Sequence, residues 1–126
     1  MVLAETFTPA LDHRAAATTA ASIHLHYEGS VIDQPLARYT GIDGLDGIAV
    51  LAPTQGLVEW FPHDDQPLAD LAPLAREVDG SGVALCVVVP ASRMGEAHRA
   101  LRGEPLTLQP WWRDGETVRF GGPEVP

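Results

Sequence analysis

The run Val83–Val89 most constrains the fold of this chain, because every residue in it is apolar. A strand with one face in water alternates apolar and polar residues, whereas a strand covered on both faces is apolar throughout. Pro90 ends the run, since proline cannot donate a hydrogen bond to a continuing strand. We therefore predict a central strand here, in a sheet that carries other elements on both of its faces.

The sequence around this run predicts the remaining elements of one domain. Two strands are predicted at 48–52 and 57–61, joined by turn residues, and a further strand at 22–28 is followed by a long loop at 31–46. Helical patterns that end at Gly80 and Gly103 flank the apolar run.

Alternating strands and helices favour an α/β (or α+β) fold, a sandwich with a mixed sheet of five or six strands and two to three helices. The length of 126 residues fits a single domain over 1–126, in which residues 1–20 are expected to be a frayed N-terminal segment. The alanine- and threonine-rich residues 9–21 predict a short or frayed helix.

A C-terminal β-hairpin is predicted to turn at Asp114-Gly115, the preferred residue pair for a two-residue type I′ turn. That turn places Trp112 opposite Thr117. It also puts Trp111 in the core and leaves Trp112 partly exposed.

The approach to this hairpin carries an irregularity at Pro110. Leu106 and Leu108 alternate in register with Trp112 and not with Trp111. If one core buries the two leucines and Trp111, the alternation has to switch between them. We therefore predict a bulge or bend at Pro110.

The charge balance narrows the classes of function. The net charge is −9, and all 8 basic residues are arginine. The absence of lysine excludes a P-loop lysine, a Schiff-base lysine and a lysine general base, and the negative field disfavours nucleic acid and anionic membranes as partners.

The start of the chain lacks the features of a secretory signal, so a cytoplasmic location is expected. Cys86, the single cysteine, is interpreted as a buried and inert thiol.

The alternation in 22–28 places His24 and His26 on one face of the predicted strand, about 6.5–7 Å apart at the backbone. Two imidazoles at that spacing can reach one metal ion, such as zinc or another divalent metal. A third ligand could come from the acidic segment that follows the strand at 57–61. The candidate metal ligands are His24, His26, His63, Asp64 and Asp65.

The run from His24 to Ser30 resembles the first-strand motif of adenosine deaminase-like amidohydrolases, in which His-x-His is followed by an acidic residue and glycine. The resemblance covers seven residues. It implies an eight-stranded barrel, a later zinc-binding histidine, a catalytic His-Glu pair and a terminal aspartate. A chain of 126 residues is too short for that barrel, so we do not assign the chain to the family.

Two further segments carry residues of the types that bind ions. Ser92 is predicted to cap a helix directly after the central strand, where exposed N–H groups and the Arg93 guanidinium could hold an anion. Asp43 and Asp46 lie in a glycine-rich loop that lacks the alternating oxygen ligands and closing glutamate of a calcium loop.

The predicted exposure of Trp112 beside Arg113 and Arg119 suggests a partner-binding surface, because tryptophan and arginine are enriched at interface hot spots. The leading hypothesis is a non-catalytic interaction or regulatory module with an acidic surface and no cofactor. Its partner would be another protein or a second copy in a homodimer. The alternative is a small metal-dependent hydrolase that uses the His-x-His motif.

Overall fold

The computed structural model describes residues 9–20, 30–32 and 41–126 of the chain. The helices are α1 (Pro9–Thr19), α2 (Ala72–Gly80) and α3 (Met94–Ala100). The strands are β1 (Ser30–Ile32), β2 (Gly47–Ala52), β3 (Leu57–Pro62), β4 (Ala84–Pro90), β5 (Thr107–Asp114) and β6 (Thr117–Phe120). No helix within these ranges has the length and apolar character needed to cross a membrane.

The described strands form one mixed sheet in the order β1-β2-β3-β4-β5-β6. Strands β3, β4 and β5 run parallel to one another, while the pairs β1–β2, β2–β3 and β5–β6 are antiparallel. Helices α2 and α3 lie in the connections between the parallel strands, as a parallel pair requires. The prediction of a mixed sheet combined with helices is confirmed, and the class is α+β.

Strand β4 confirms the interpretation of the apolar run, because Leu85–Val89 is buried throughout. Leu85, Val87 and Val89 face a core that contains residues of α2 and α3. Cys86 and Val88 face a second core that contains residues of α1. A strand buried on both sides has no polar face, which is why its sequence shows no alternation.

Helix α1 covers its side of the sheet with small residues. Ala16, Ala17 and Ala20 are fully buried, and His13 is 1% exposed. These four positions have the i, i+3, i+4, i+7 spacing of one helical face. Because alanine side chains are small, the helix backbone can lie close to the strands. This close packing places His13, a large polar residue on the same helical face, against the sheet.

The C-terminal hairpin has a register that differs from the predicted one. Asp114 pairs with Thr117, and Trp112 pairs with Arg119. The two turn residues are therefore Gly115 and Glu116, and Gly115 has a φ of +64°, which favours glycine. Because the shift is an even number of residues, each side chain stays on the predicted face.

The predicted bulge at Pro110 is wrong. Strand β5 pairs with β4 residue by residue from Thr107 to Trp111, without an inserted residue. Leu108 and Trp111 are buried in the two different cores on opposite faces of the sheet. The prediction assumed one core for both residues, which would have required the alternation to switch.

The N-terminal half departs from the prediction in one further place. The predicted loop at 31–46 begins inside β1, whose Ser30–Ile32 pairs with β2. The predicted strand at 22–28 lies outside the described residues.

Candidate functional site

Polar side chains collect at the carboxyl edge of the parallel strands. His63 follows β3, a turn at Ala91–Arg93 follows β4, and Trp111 of β5 pairs with Pro90 at the end of β4. Parallel strands end at the same edge, which is where open α/β sheets commonly bind ligands. This edge is therefore the expected position of a ligand-binding site.

Two histidines meet there, and we call them and their carboxylate partners the His13–His63 cluster. The ring centroids of His13 and His63 are 5.5 Å apart, and the ring of Trp111 meets His13 edge-on at the same centroid distance. Helix α1 supplies His13 and the segment after β3 supplies His63. The contact therefore joins the N-terminal helix to the end of a central strand.

Each imidazole of the cluster has a carboxylate partner. His13 Nε2 lies 3.1 Å from Asp64 Oδ1, and His63 Nδ1 lies 2.9 Å from Asp46 Oδ1. Gln66 accepts a hydrogen bond of 2.6 Å from the backbone N–H of Asp46, which fixes this aspartate beside His63. The Nε2 atom of His63 is buried and has no hydrogen-bond partner among the described residues.

Arg93 holds the segment that carries His63. Its guanidinium donates to the carbonyl oxygen of His63 at 3.2 Å and to that of Gln66 at 3.0 Å, and it also pairs with the carboxylate of Glu96. These contacts use Arg93 to connect the ends of β3 and β4. The Arg93 guanidinium was predicted to hold an anion. In the structure it instead donates to protein carbonyl and carboxylate oxygens, which is a structural role.

Ser92 is exposed in the turn before α3, and its predicted capping role is wrong. Helix α3 begins at Met94 with Arg93 at the N-cap position, and no side chain caps it. The helix has seven residues, which leaves a weak dipole for holding an anion.

The predicted metal ligands are brought together in part. His63 and Asp64 belong to the His13–His63 cluster, and Asp65 is exposed in the same turn. His24 and His26 lie outside the described residues. Within the described ranges, no group of three or more His, Cys, Asp or Glu side chains is placed to hold a metal ion.

Sequence reasoning missed His13, although a signal for it was present. His13, Ala16, Ala17 and Ala20 mark one buried helical face, and a histidine on such a face has to find a polar partner inside the protein. Because alanine and threonine dominate this segment, the buried face does not stand out from its composition.

A second polar group crosses the face of the sheet that also carries the α1 core. Glu59, Cys86 and Thr107 are direct cross-strand neighbours on β3, β4 and β5. Glu59 is 1% exposed, and Gln109, the next residue on the same face of β5, is 4% exposed. Sequence reasoning missed this row because each member stands alone among apolar neighbours.

Cys86 is buried, as the sequence predicts. Burial raises its pKa to about 12, and the nearby Glu59 charge acts in the same direction, while a hydrogen bond with Thr107 acts against them. The thiol lies 3.8 Å from Gln109 Oε1. A neutral thiol at physiological pH is a poor nucleophile and a poor metal ligand.

The third feature is the outer side of the C-terminal hairpin. Trp112 pairs with Arg119 and Asp114 pairs with Thr117, so these side chains share one face of the sheet, and all are exposed. We call these four residues the hairpin face. Arg119 and Asp114 form an ion pair of 2.8 Å across it. Arg113 lies on the opposite face, so the structure groups Trp112 with Arg119 but not with Arg113.

No protein-family model, no curated protein and no solved structure matches the chain.

Proposed function

We propose that this protein is a non-catalytic interaction module that self-associates through the hairpin face. The observation that carries the proposal is the exposure of Trp112, which is 40% exposed on a regular strand. Among the described residues, Trp112 and Val125 are the large apolar side chains that remain exposed. Tryptophan and arginine are the residues that most often dominate the energy of an interface.

The chain after β6 packs closely beside Trp112, which suits an anchor residue. A Cβ atom built on Gly121 would lie 2.7 Å from Pro110 Cγ and 3.6 Å from Trp112 Cζ3. Gly121 therefore lets the chain after β6 lie directly against the Pro110 and Trp112 side chains. A ring held in this way loses little conformational entropy when a partner covers it.

The proposed occupant of the hairpin face is a second copy of the chain. The face carries one positive and one negative group, Arg119 and Asp114, so it is neutral although the whole chain carries −9. Across a two-fold axis, Arg119 of one copy can meet Asp114 of the other, and the same contact then occurs twice. A face with balanced charges is complementary to itself in a way that a uniformly charged face is not.

The net charge gives this association a recognisable salt dependence. Two copies with −9 each repel one another at long range, while the contact itself is neutral. Salt that shortens the Debye length from about 30 Å to about 8 Å screens that repulsion, so added salt should strengthen the dimer. An interface that relied on opposite net charges would weaken instead.

Sedimentation equilibrium of the wild type, Trp112→Ala and Arg119→Ala tests the proposal. We expect a dimer for the wild type and a dissociation constant at least about tenfold higher for Trp112→Ala, as for a hot-spot residue. Val125→Ala, which truncates the other exposed apolar side chain, is the matched control and should dimerise as the wild type does. If both hairpin variants leave self-association and every captured partner unchanged, the hairpin face is not an interface.

A metal-dependent hydrolase is the second candidate, and the environment of His63 favours it. Asp46 binds Nδ1 of His63 and leaves the buried Nε2 without a partner among the described residues. Metal-binding histidines commonly donate their other nitrogen to a carboxylate in this way. In this candidate His63 joins His24 and His26 as ligands, and Asp65 is the acidic group left over for activating water.

The metal content of untagged protein tests this second candidate. Near-stoichiometric zinc, manganese or iron that is lost both in His24→Ala/His26→Ala and in His63→Ala would support it. His98→Ala is the control, because His98 pairs with Glu124 and belongs to no candidate site. No bound metal, together with an unchanged melting temperature on addition of zinc, would reject the candidate.

A further inference from the structure

The sequence contains four Asp-Gly pairs, at positions 43–44, 46–47, 79–80 and 114–115. Asp-Gly is the dipeptide most prone to isomerise, because glycine has no side chain to shield its peptide nitrogen from the preceding carboxyl group. The chain contains no asparagine, so any isoaspartate in it has to come from aspartate. The four pairs share one chemistry and differ in their surroundings, so the structure ranks their reactivity.

The isomerisation begins when the glycine nitrogen attacks Cγ of the aspartate. An N–Cγ bond forms and a Cγ–O bond breaks, and the N–H proton leaves with the carboxyl hydroxyl as water, which gives a cyclic succinimide. Water then adds back to the ring. Cleavage at Cγ restores aspartate, whereas cleavage at the main-chain carbonyl carbon gives isoaspartate, in which the main chain runs through the former side chain. Water is lost and regained, so no other reactant is needed.

The succinimide ring requires a backbone conformation that regular secondary structure does not supply. The ring holds Cγ in one plane with the peptide nitrogen, which places the aspartate outside both the helical and the extended regions. An aspartate in a helix or strand therefore has to leave that element before it reacts. Asp79 and Gly80 lie inside α2, and the carbonyl oxygen of Asp79 accepts from the backbone N–H of Gly82. The helix protects this pair.

Side-chain contacts restrain two of the other pairs. Asp46 Oδ1 lies 2.9 Å from His63 Nδ1, and the backbone N–H of Asp46 donates to Gln66. Asp114 is the last residue of β5 and forms an ion pair of 2.8 Å with Arg119. In both pairs the carboxyl group has to leave its partner before it can reach the glycine nitrogen.

Asp43 and Gly44 have none of these restraints. Both are exposed, and they lie in the segment 41–46, which is neither helix nor strand. Within the part of the chain that the structure describes, the Asp43 carboxylate has no hydrogen bond and no ion pair. A Cβ atom built on Gly44 would meet nothing within 4 Å, so the space around the reacting nitrogen is open.

We propose that Asp43-Gly44 is a modification site, at which the native protein forms isoaspartate faster than at its other Asp-Gly pairs. The product carries an added main-chain carbon between Ile42 and Leu45, whose side chains pack against the core on the α2 side of the sheet. The same segment leads into Asp46 of the His13–His63 cluster. The modification does not require self-association through the hairpin face.

Peptide mapping of the full-length protein, aged in mildly acidic buffer made with heavy-oxygen water, tests the proposal. Each passage through the succinimide introduces labelled oxygen, and electron-transfer fragmentation distinguishes isoaspartate from aspartate at each position. In the native protein we expect Asp43 to be labelled several times faster than Asp46, Asp79 and Asp114. In urea, which removes the restraints, all of these positions should be labelled at similar rates.

Two variants separate the effect of local restraint from that of sequence. Asp43→Glu should abolish labelling at this position, because glutamate would have to form a less favourable six-membered ring, and the other pairs should react as before. Arg119→Ala releases the carboxylate of Asp114 and should raise its rate without changing that of Asp43. The proposal is overturned if another pair isomerises in the native protein as fast as Asp43, or if Asp43 reacts several times faster in urea than in the native protein.

Discussion

Replacing Gly47 by alanine should strongly destabilise the protein, because no space exists for a methyl group at this position. Gly47 is the first residue of β2 and pairs with Pro62 at the end of β3. A Cβ atom there would lie 2.4 Å from the carbonyl oxygen of Phe61, 2.8 Å from Trp60 Cζ2 and 2.9 Å from Pro62 Cα. Two of these atoms belong to the backbone of the paired strand, which cannot move aside as a flexible side chain can.

Overpacking of a core commonly costs about 1–3 kcal/mol, and contact with backbone atoms places this case near about 3 kcal/mol. For a chain of this length that loss lowers the melting temperature by roughly 12 °C. Asp46 precedes Gly47 and binds His63, so the amide and ring signals of His63 should shift as well.

Gly80→Ala is the matched control, since nothing lies within 4 Å of a Cβ atom there and its φ is not in the left-handed region. Urea and thermal unfolding followed by circular dichroism measure both variants. We expect Gly80→Ala to lie within about 0.5 kcal/mol of the wild type or to be slightly more stable. A Gly47→Ala protein as stable as the wild type would refute the close packing of β2 against β3.

Two further predictions follow from groups with defined partners. Iodoacetamide at pH 8 should label Cys86 in urea but not in the native protein, because a pKa raised from 9.0 to about 12 lowers the thiolate fraction about a thousandfold. Since the folded state keeps this proton longer than the unfolded state, its contribution to stability should be complete below pH 9.0 and be lost as the pH rises towards about 12, and Cys86→Ala should remove that part of the pH dependence. Arg93→Ala should cost about 1–3 kcal/mol in urea unfolding, because it leaves the carbonyl oxygens of His63 and Gln66 without their donor. Arg93→Lys should recover little of that loss, since an ammonium lacks the fork that reaches both oxygens, and equal stability of Arg93→Ala and wild type would contradict the role given to this residue.

The sequence predicted those strands of the sheet whose apolar pattern depends on the burial of neighbouring residues in the same strand. The apolar run of β4 implied two covered faces, and both cores are present. The bulge predicted at Pro110 is wrong because the prediction assumed a single core. Leu108 and Trp111 are buried on opposite faces of the sheet, in two different cores. An apolar pattern in the sequence predicts that a residue is buried, but it does not indicate on which face of the sheet, and therefore in which core, the residue lies.

The candidate sites were less predictable because their members come from distant parts of the chain. His13 and Asp64 are 51 residues apart, and no periodic pattern connects them. The sequence suggests an anion site at Arg93 because its position after a strand is visible, whereas its carbonyl partners, His63 and Gln66 in the turn after β3, are not. Trp112 was identified correctly as exposed because its environment depends on the local alternation of one hairpin.

Mixing two charge-reversed proteins tests the self-complementary hairpin face most directly. Asp114→Arg makes the face positive and Arg119→Asp makes it negative, and both positions are exposed, so the fold should be kept. Sedimentation should show each variant alone as a monomer, because like charges then meet across the two-fold axis, and an equimolar mixture as a heterodimer. Wild-type protein that stays monomeric at every salt concentration, or a mixture that does not associate, would contradict the account.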